Sequence, residues 1–216
     1  MTRRSTPEKF LFAGQATLLT LVAIIGFTPN SLAIVLGEKP NPPLVVHLHA
    51  AAMSAWLLLL LAQSWLVPTG RASTHRKLGL TSLWLVPTVT ILMIAVAIAM
   101  FDPEQHGKGV ISLQIRRVLI FAGFCAWAIS VRTRDPQAHK RAWMIATVVC
   151  LDAAMFRMSF LPWFGFDSVL PAHVYQLMLL LPLFVYDFWA LGHLHRVSMA
   201  GLLALTVTMV ITHWVW

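Results

Sequence analysis

Seven apolar runs, each close to the roughly 20 residues that a helix needs to cross a bilayer, decide what this chain can fold into. They cover 10–36, 44–67, 78–101, 112–131, 141–161, 172–192 and 197–216. Lipid offers no hydrogen bonds, so a spanning segment satisfies its backbone as a helix or inside a closed barrel. Barrel strands need only about ten alternating residues. These runs are longer and continuous, which selects helices. Composition agrees: 11% of the 216 residues are charged and 58% are hydrophobic, whereas soluble domains carry about 25% charge. The expected fold is all-α, a polytopic bundle of seven transmembrane helices forming one domain over 1–216. The first run is too long for a secretion-signal core and lacks a small-residue cleavage pattern after it, so no cleavable leader is expected.

Lysine and arginine placement sets the expected orientation. Eleven of the sixteen cations fall on one side, at the N-terminus (Arg3, Arg4, Lys9) and in the second-to-third, fourth-to-fifth and sixth-to-seventh loops. The opposite loops hold only Lys39 and Lys108, with Arg116, Arg117 and Arg157 inside helix ends. This bias puts the N-terminus inside and Trp216 outside, in a bacterial inner membrane. The net charge of +8 then serves topology and contacts with the lipid bilayer. The cations form no groove-sized stripe, which excludes nucleic acid as a partner. Cys125 and Cys150 stand alone within helices and read as small buried side chains.

Ionisable side chains inside a span cost about 2.5–3.5 kcal/mol each and therefore need partners. Asp152 is eleven residues beyond Arg141, about 16 Å deeper and near the midplane. Arg157 is five residues further on and does not share its face squarely. Arg116 or Arg117 from the neighbouring span is the expected partner, giving a buried polar pocket of Asp152, Arg157, Arg116 and Arg117. An ion pair that merely fixes packing explains the same residues.

The nine histidines cluster by membrane face. His75 in "GRASTHRKLGLTS" and His139 in "RDPQAHKRAWMIAT" each sit about one turn before a span that starts on the inner side. Imidazole is the commonest axial ligand of a b-type haem, and two helices can supply both ligands. His75 and His139 are thus candidate haem ligands, with Arg76 and Arg141 placed to meet propionates. His49 and His173 form a weaker outer pair. The simpler account of H-[RK]-[KR] at a helix start is a snorkelling anchor to lipid phosphate. His47 and His49 lie about 200° apart on one helix, so only one of them faces the bundle. On the same helix His49, Met53, Trp56, Leu60 and Gln63 share a face that could line the interior.

"THRKLG" followed by "AHKRAWMIATVVCLDAAMFRMSFLPW" resembles a widespread bacterial family of uncharacterised multi-span membrane proteins. Its members carry an H-R-x-L-G turn and a later H-x-R-x-x-M helix ending in a distal arginine. His75, Arg76, Leu78 and Gly79 match the first motif, and His139, Arg141, Met144 and Arg157 the second. The likeness covers about 47–163. Lys77, Lys140 and the His-x-His at 47–49 depart from the pattern. The helix plan is similar to that of b-type di-haem membrane cytochromes, which implies electron transfer.

Three functions compete. The first is a small haem b electron-transfer protein or an accessory subunit of a redox membrane complex, with other subunits as partners. The second is a membrane-embedded zinc hydrolase acting on lipids, with His75, His139, His193 and Asp187 as metal ligands; the absence of an H-x-x-x-H helix weighs against it. The third is a non-catalytic subunit or a small transporter organised around Asp152, with Pro29, Pro87 and Pro182 as candidate helix breaks. No lysine lies in the last span, which excludes a retinal-binding photoreceptor. No oligomeric state follows from the sequence.

Overall fold

In a computed structural model of the chain, residues 6–102, 108–158 and 170–215 are described. Arg3, Arg4, His106, most of the loop after Arg157 and Trp216 lie outside them. All regular structure among the described residues is helical. The order is α1 (Thr6–Val35), α2 (Leu44–Leu66), α3 (Ala72–Gly79), α4 (Ser82–Ala99), α5 (Lys108–Val131), α6 (Pro136–Cys150), α7 (Asp152–Met155), α8 (Leu170–Leu191) and α9 (Arg196–Val215). Six of these, α1, α2, α4, α5, α8 and α9, are long and apolar enough to cross a membrane.

The remaining expected span, 141–161, is built differently. It starts earlier, at Pro136, where Asp135 caps the helix by accepting from the amides of Gln137 and Ala138. It then breaks at Leu151 into α6 and the single turn of α7. Gln176 of α8 holds the break, its amide donating to the carbonyls of Val148 (3.3 Å) and Val149 (3.0 Å) at the helix end, while Val148 also accepts from the Leu151 amide at 3.1 Å. From Met144 to Cys150 every residue is buried. This segment is the hub of the bundle, packed by α1, α5, α8 and α9.

Two small residues permit the closest approaches. A Cβ on Gly26 of α1 would lie 2.5 Å from the carbonyl oxygen of Ala154, and one on Gly201 of α9 would meet Ile145 Cδ1 at the same distance. Such positions let helices pack without a large side chain between them. The outer faces show bare apolar side chains, among them Leu58, Trp84, Ile91, Val185 and Trp189, as lipid-facing surfaces do. Cys125 and Cys150 are free and buried.

Pro29, Pro87 and Pro182 lie inside continuous helices, so the breaks a transporter reading places there are not found. The run expected at 78–101 also divides. His75 belongs to the short α3, whose polar residues sit ahead of α4. Nor do the spans after His75 and at His139 pack directly together: α4 packs against α2 and α5, and α5 packs against α6.

Candidate functional site

At the end of the bundle carrying the α2–α3 and α5–α6 loops, a cavity of about 600 Å³ opens between helices. That falls within the range of about 300–1,000 Å³ typical of small-molecule and cofactor sites. Its walls are mainly apolar, with Phe12, Trp56, Leu60, Ile129 and Trp143 among them, and its rim carries Arg76, Lys77, Arg132 and Lys140. Both His75 and His139 line it. Their helices are not packed together, so the cavity is what the two rings share.

The two imidazoles are held alike. His75 Nδ1 is 3.2 Å from the carbonyl oxygen of Gln63, and His139 Nδ1 is 2.8 Å from that of Ala128. A carbonyl only accepts, so each Nδ1 carries a hydrogen, and in the neutral ring Nε2 is then the nitrogen with the lone pair. This is the tautomer and the support that metal-ligating histidines use. Trp143 Nε1 donates to His139 Nε2 at 3.2 Å, and ligation by His139 would exchange that hydrogen bond for a metal bond. Trp143 is itself placed by Trp56, whose ring centroid lies 5.1 Å away. The Trp56 indole N–H is fixed on Thr147 Oγ1 at 3.1 Å. The chamber thus combines two imidazoles oriented through Nδ1, apolar walls and cations at its mouth, with His139 Nε2 engaged by Trp143.

Arg141, expected to meet propionates here, does not line the cavity. Its Nε donates to Asp187 Oδ1 at 3.0 Å, its Nη2 joins the same oxygen, and its Nη1 donates to Gln137 Oε1 at 2.6 Å. The remaining Asp187 oxygen accepts from the His195 amide at 3.0 Å. Arg141 and Asp187 are both buried, so the pair locks α6 to α8. The set for zinc is not drawn together: Asp187 is committed to Arg141, His193 is exposed, and neither lines the cavity with His75 and His139. No group of three or more His, Cys, Asp or Glu side chains suited to a metal occurs among the described residues.

The second polar cluster lies toward the opposite end of α6. Asp152, fully buried, accepts from Arg116 Nη2 at 2.7 Å and from Arg117 Nε at 2.8 and 3.0 Å. Arg116 Nη2 also donates to Gln176 Oε1 at 3.2 Å, and Arg117 Nη1 to Gln114 Oε1 at 2.9 Å. Arg157 is exposed; its Nη1 donates to the Ala153 carbonyl and its guanidinium covers the Phe27 ring. His173, 2% exposed, lies about one turn before Gln176 on α8, on the helix face that meets Arg116. Of the two histidines on α2, His49 turns its Nδ1 into the bundle, whereas His47 is exposed and bonded to Asn41. Gln176 joins both the Asp152 cluster and the helix break, and nothing local in the sequence marks it for that role.

Comparison of the chain with protein-family models, with curated proteins and with solved structures finds no match.

Proposed function

We propose that this chain is a seven-span protein of the bacterial inner membrane that holds haem b between His75 and His139. It would serve one-electron transfer, by itself or as an accessory subunit of a redox complex. One observation carries the reading: both histidines line a single apolar cavity, each with Nδ1 donating to a backbone carbonyl, so that Nε2 is the nitrogen a ligand would take, at His139 in exchange for the Trp143 hydrogen bond. An anchoring role at lipid headgroups would require neither the shared cavity nor the matched tautomers. Bound haem supplies a one-electron couple. His75 and His139 would hold it, and the rim cations Arg76 and Arg132 would meet its carboxylates. The likeness of the "THRKLG" and "AHKRAWM" motifs to a bacterial membrane family fits the same picture.

The seventh crossing in this reading is α6 with α7. Pro136 to Met155 would extend about 30 Å if helical throughout, the thickness of a bilayer core. Its polar side chains do not oppose that, because the other helices shield them from lipid. An odd number of crossings, combined with the cation bias, puts the N-terminus inside and the C-terminus outside.

The test is a titration of haem b into the purified, detergent-solubilised protein, followed at the Soret band. Saturation at one haem per chain is expected, with affinity at least ten-fold weaker in His75→Ala and in His139→Ala. Equal binding by wild type and both variants would refute the assignment.

A further inference from the structure

The Arg116–Arg117–Asp152 cluster has more positive charge and more hydrogen-bond donors than its described neighbours use. Two guanidinium groups face one carboxylate, which leaves one positive charge in excess. Arg116 is 2% exposed, yet its Nε and Nη1 have no acceptor among the described residues. Among the described residues, His173, also 2% exposed, has no partner on either ring nitrogen, and the Nδ1 of His49 has none. Buried donors without acceptors cost about 1–3 kcal/mol each, more when charged, so a native bundle rarely leaves several together. Gln176 does not relieve them: its oxygen accepts from Nη2 of Arg116 and its amide donates to Val148 and Val149.

We infer that Arg116, Arg117 and His173 form a buried binding site for a small monovalent anion, of the carboxylate class. A single negative charge would neutralise the excess. Its oxygens would accept from the idle guanidinium N–H groups and from one N–H of His173. Asp152 and Gln176 act as positioning residues, since both accept from the same nitrogen, Nη2, of the Arg116 guanidinium. The site involves no residue that lines the His75–His139 cavity, so it stands or falls independently of the haem reading.

Formate is the probe. The purified full chain in detergent, in a gluconate buffer of constant ionic strength, is titrated with sodium formate and its thermal midpoint followed. Ligand that binds only the native state raises the midpoint in a saturable way. Wild type should show that saturation. His173→Leu, which leaves both ion pairs to Asp152 in place, should weaken apparent formate affinity at least five-fold. Arg116→Lys should weaken it at least ten-fold. Because Arg116→Lys could also disturb folding, the decision rests on wild type and His173→Leu. A formate response in wild type that is absent or unsaturable, or a saturable one unchanged in His173→Leu, would overturn the site.

Discussion

At the scale of single residues, the bundle treats its intramembrane charges in two ways. Arg141 and Asp187 form a closed pair with each carboxylate oxygen engaged, whereas the Arg116 cluster keeps donors in reserve. A closed buried pair is costly to break and cheap to replace. Asp187→Ala, which strands the Arg141 guanidinium, should therefore destabilise the fold by about 3–5 kcal/mol. The double variant with Arg141→Met should recover most of that loss, as read by denaturant unfolding in detergent. A double variant as unstable as the single one would show that the pair contributes directly rather than by avoiding an orphaned charge. Sequence makes only half of this legible. A carboxylate in an apolar run announces that it needs a partner, but Asp187 and Arg141 are 46 residues apart. Nothing local joins them, which is why Arg141 reads from sequence as a propionate contact.

At the scale of elements, α6 and its cap carry the design. Asp135 accepts from Ala138 and Gln137 and pairs with Arg196 at 2.7 Å. The Ala138 hydrogen bond, aided by Arg196 against a smaller opposing effect of burial, holds the Asp135 carboxyl below the usual carboxylate range. A depressed folded pKa contributes stability that is full above the unfolded value of about 3.9 and lost as pH falls through the folded value. Asp135→Ala should cost about 1 kcal/mol at neutral pH. The gap between wild type and variant should stay constant down to about pH 5 and close in more acidic buffer. A gap that widened as pH fell would contradict the assignment. Close packing gives a second check. Gly26→Ala puts a methyl against the Ala154 backbone, which cannot rotate aside, and should cost about 1–3 kcal/mol in thermal or denaturant unfolding. Gly201→Ala meets a movable Ile145 side chain and should cost less. The break at Leu151 shows the limit of pattern reading. No proline or glycine stands at 150–152, and the break is held by Gln176 from another helix, so the apolar run reads straight through it. The prolines at 29, 87 and 182 show the converse: they signal breaks that the helices absorb, as membrane helices often do.

At the scale of the whole molecule, the apolar runs make the helical bundle plain, since length and continuity alone exclude barrel strands. What they do not disclose is depth. The segment with most of the bundle's polar chemistry is its most buried one, shielded on all sides, so its own hydropathy understates its place in the fold. The cavity is hidden for a related reason: it lies between helices that are distant in sequence, and His75 enters it from α3 rather than from a span. Seven crossings require the two termini on opposite faces. A reporter fused after Trp216 should be active only in the periplasm; cytoplasmic activity would leave α6 and α7 as a buried segment that does not cross.

The central claim, that His75 and His139 clamp one haem, is tested most directly by the absorption and electron-spin-resonance spectra of the full chain purified from haem-replete cells. One haem b per chain is expected, low-spin and six-coordinate in both oxidation states, with that signature lost in His75→Ala and in His139→Ala while reporter-measured topology is unchanged. Protein purified without a Soret band that also fails to take up added haem, or a low-spin haem that persists in both variants, would contradict it.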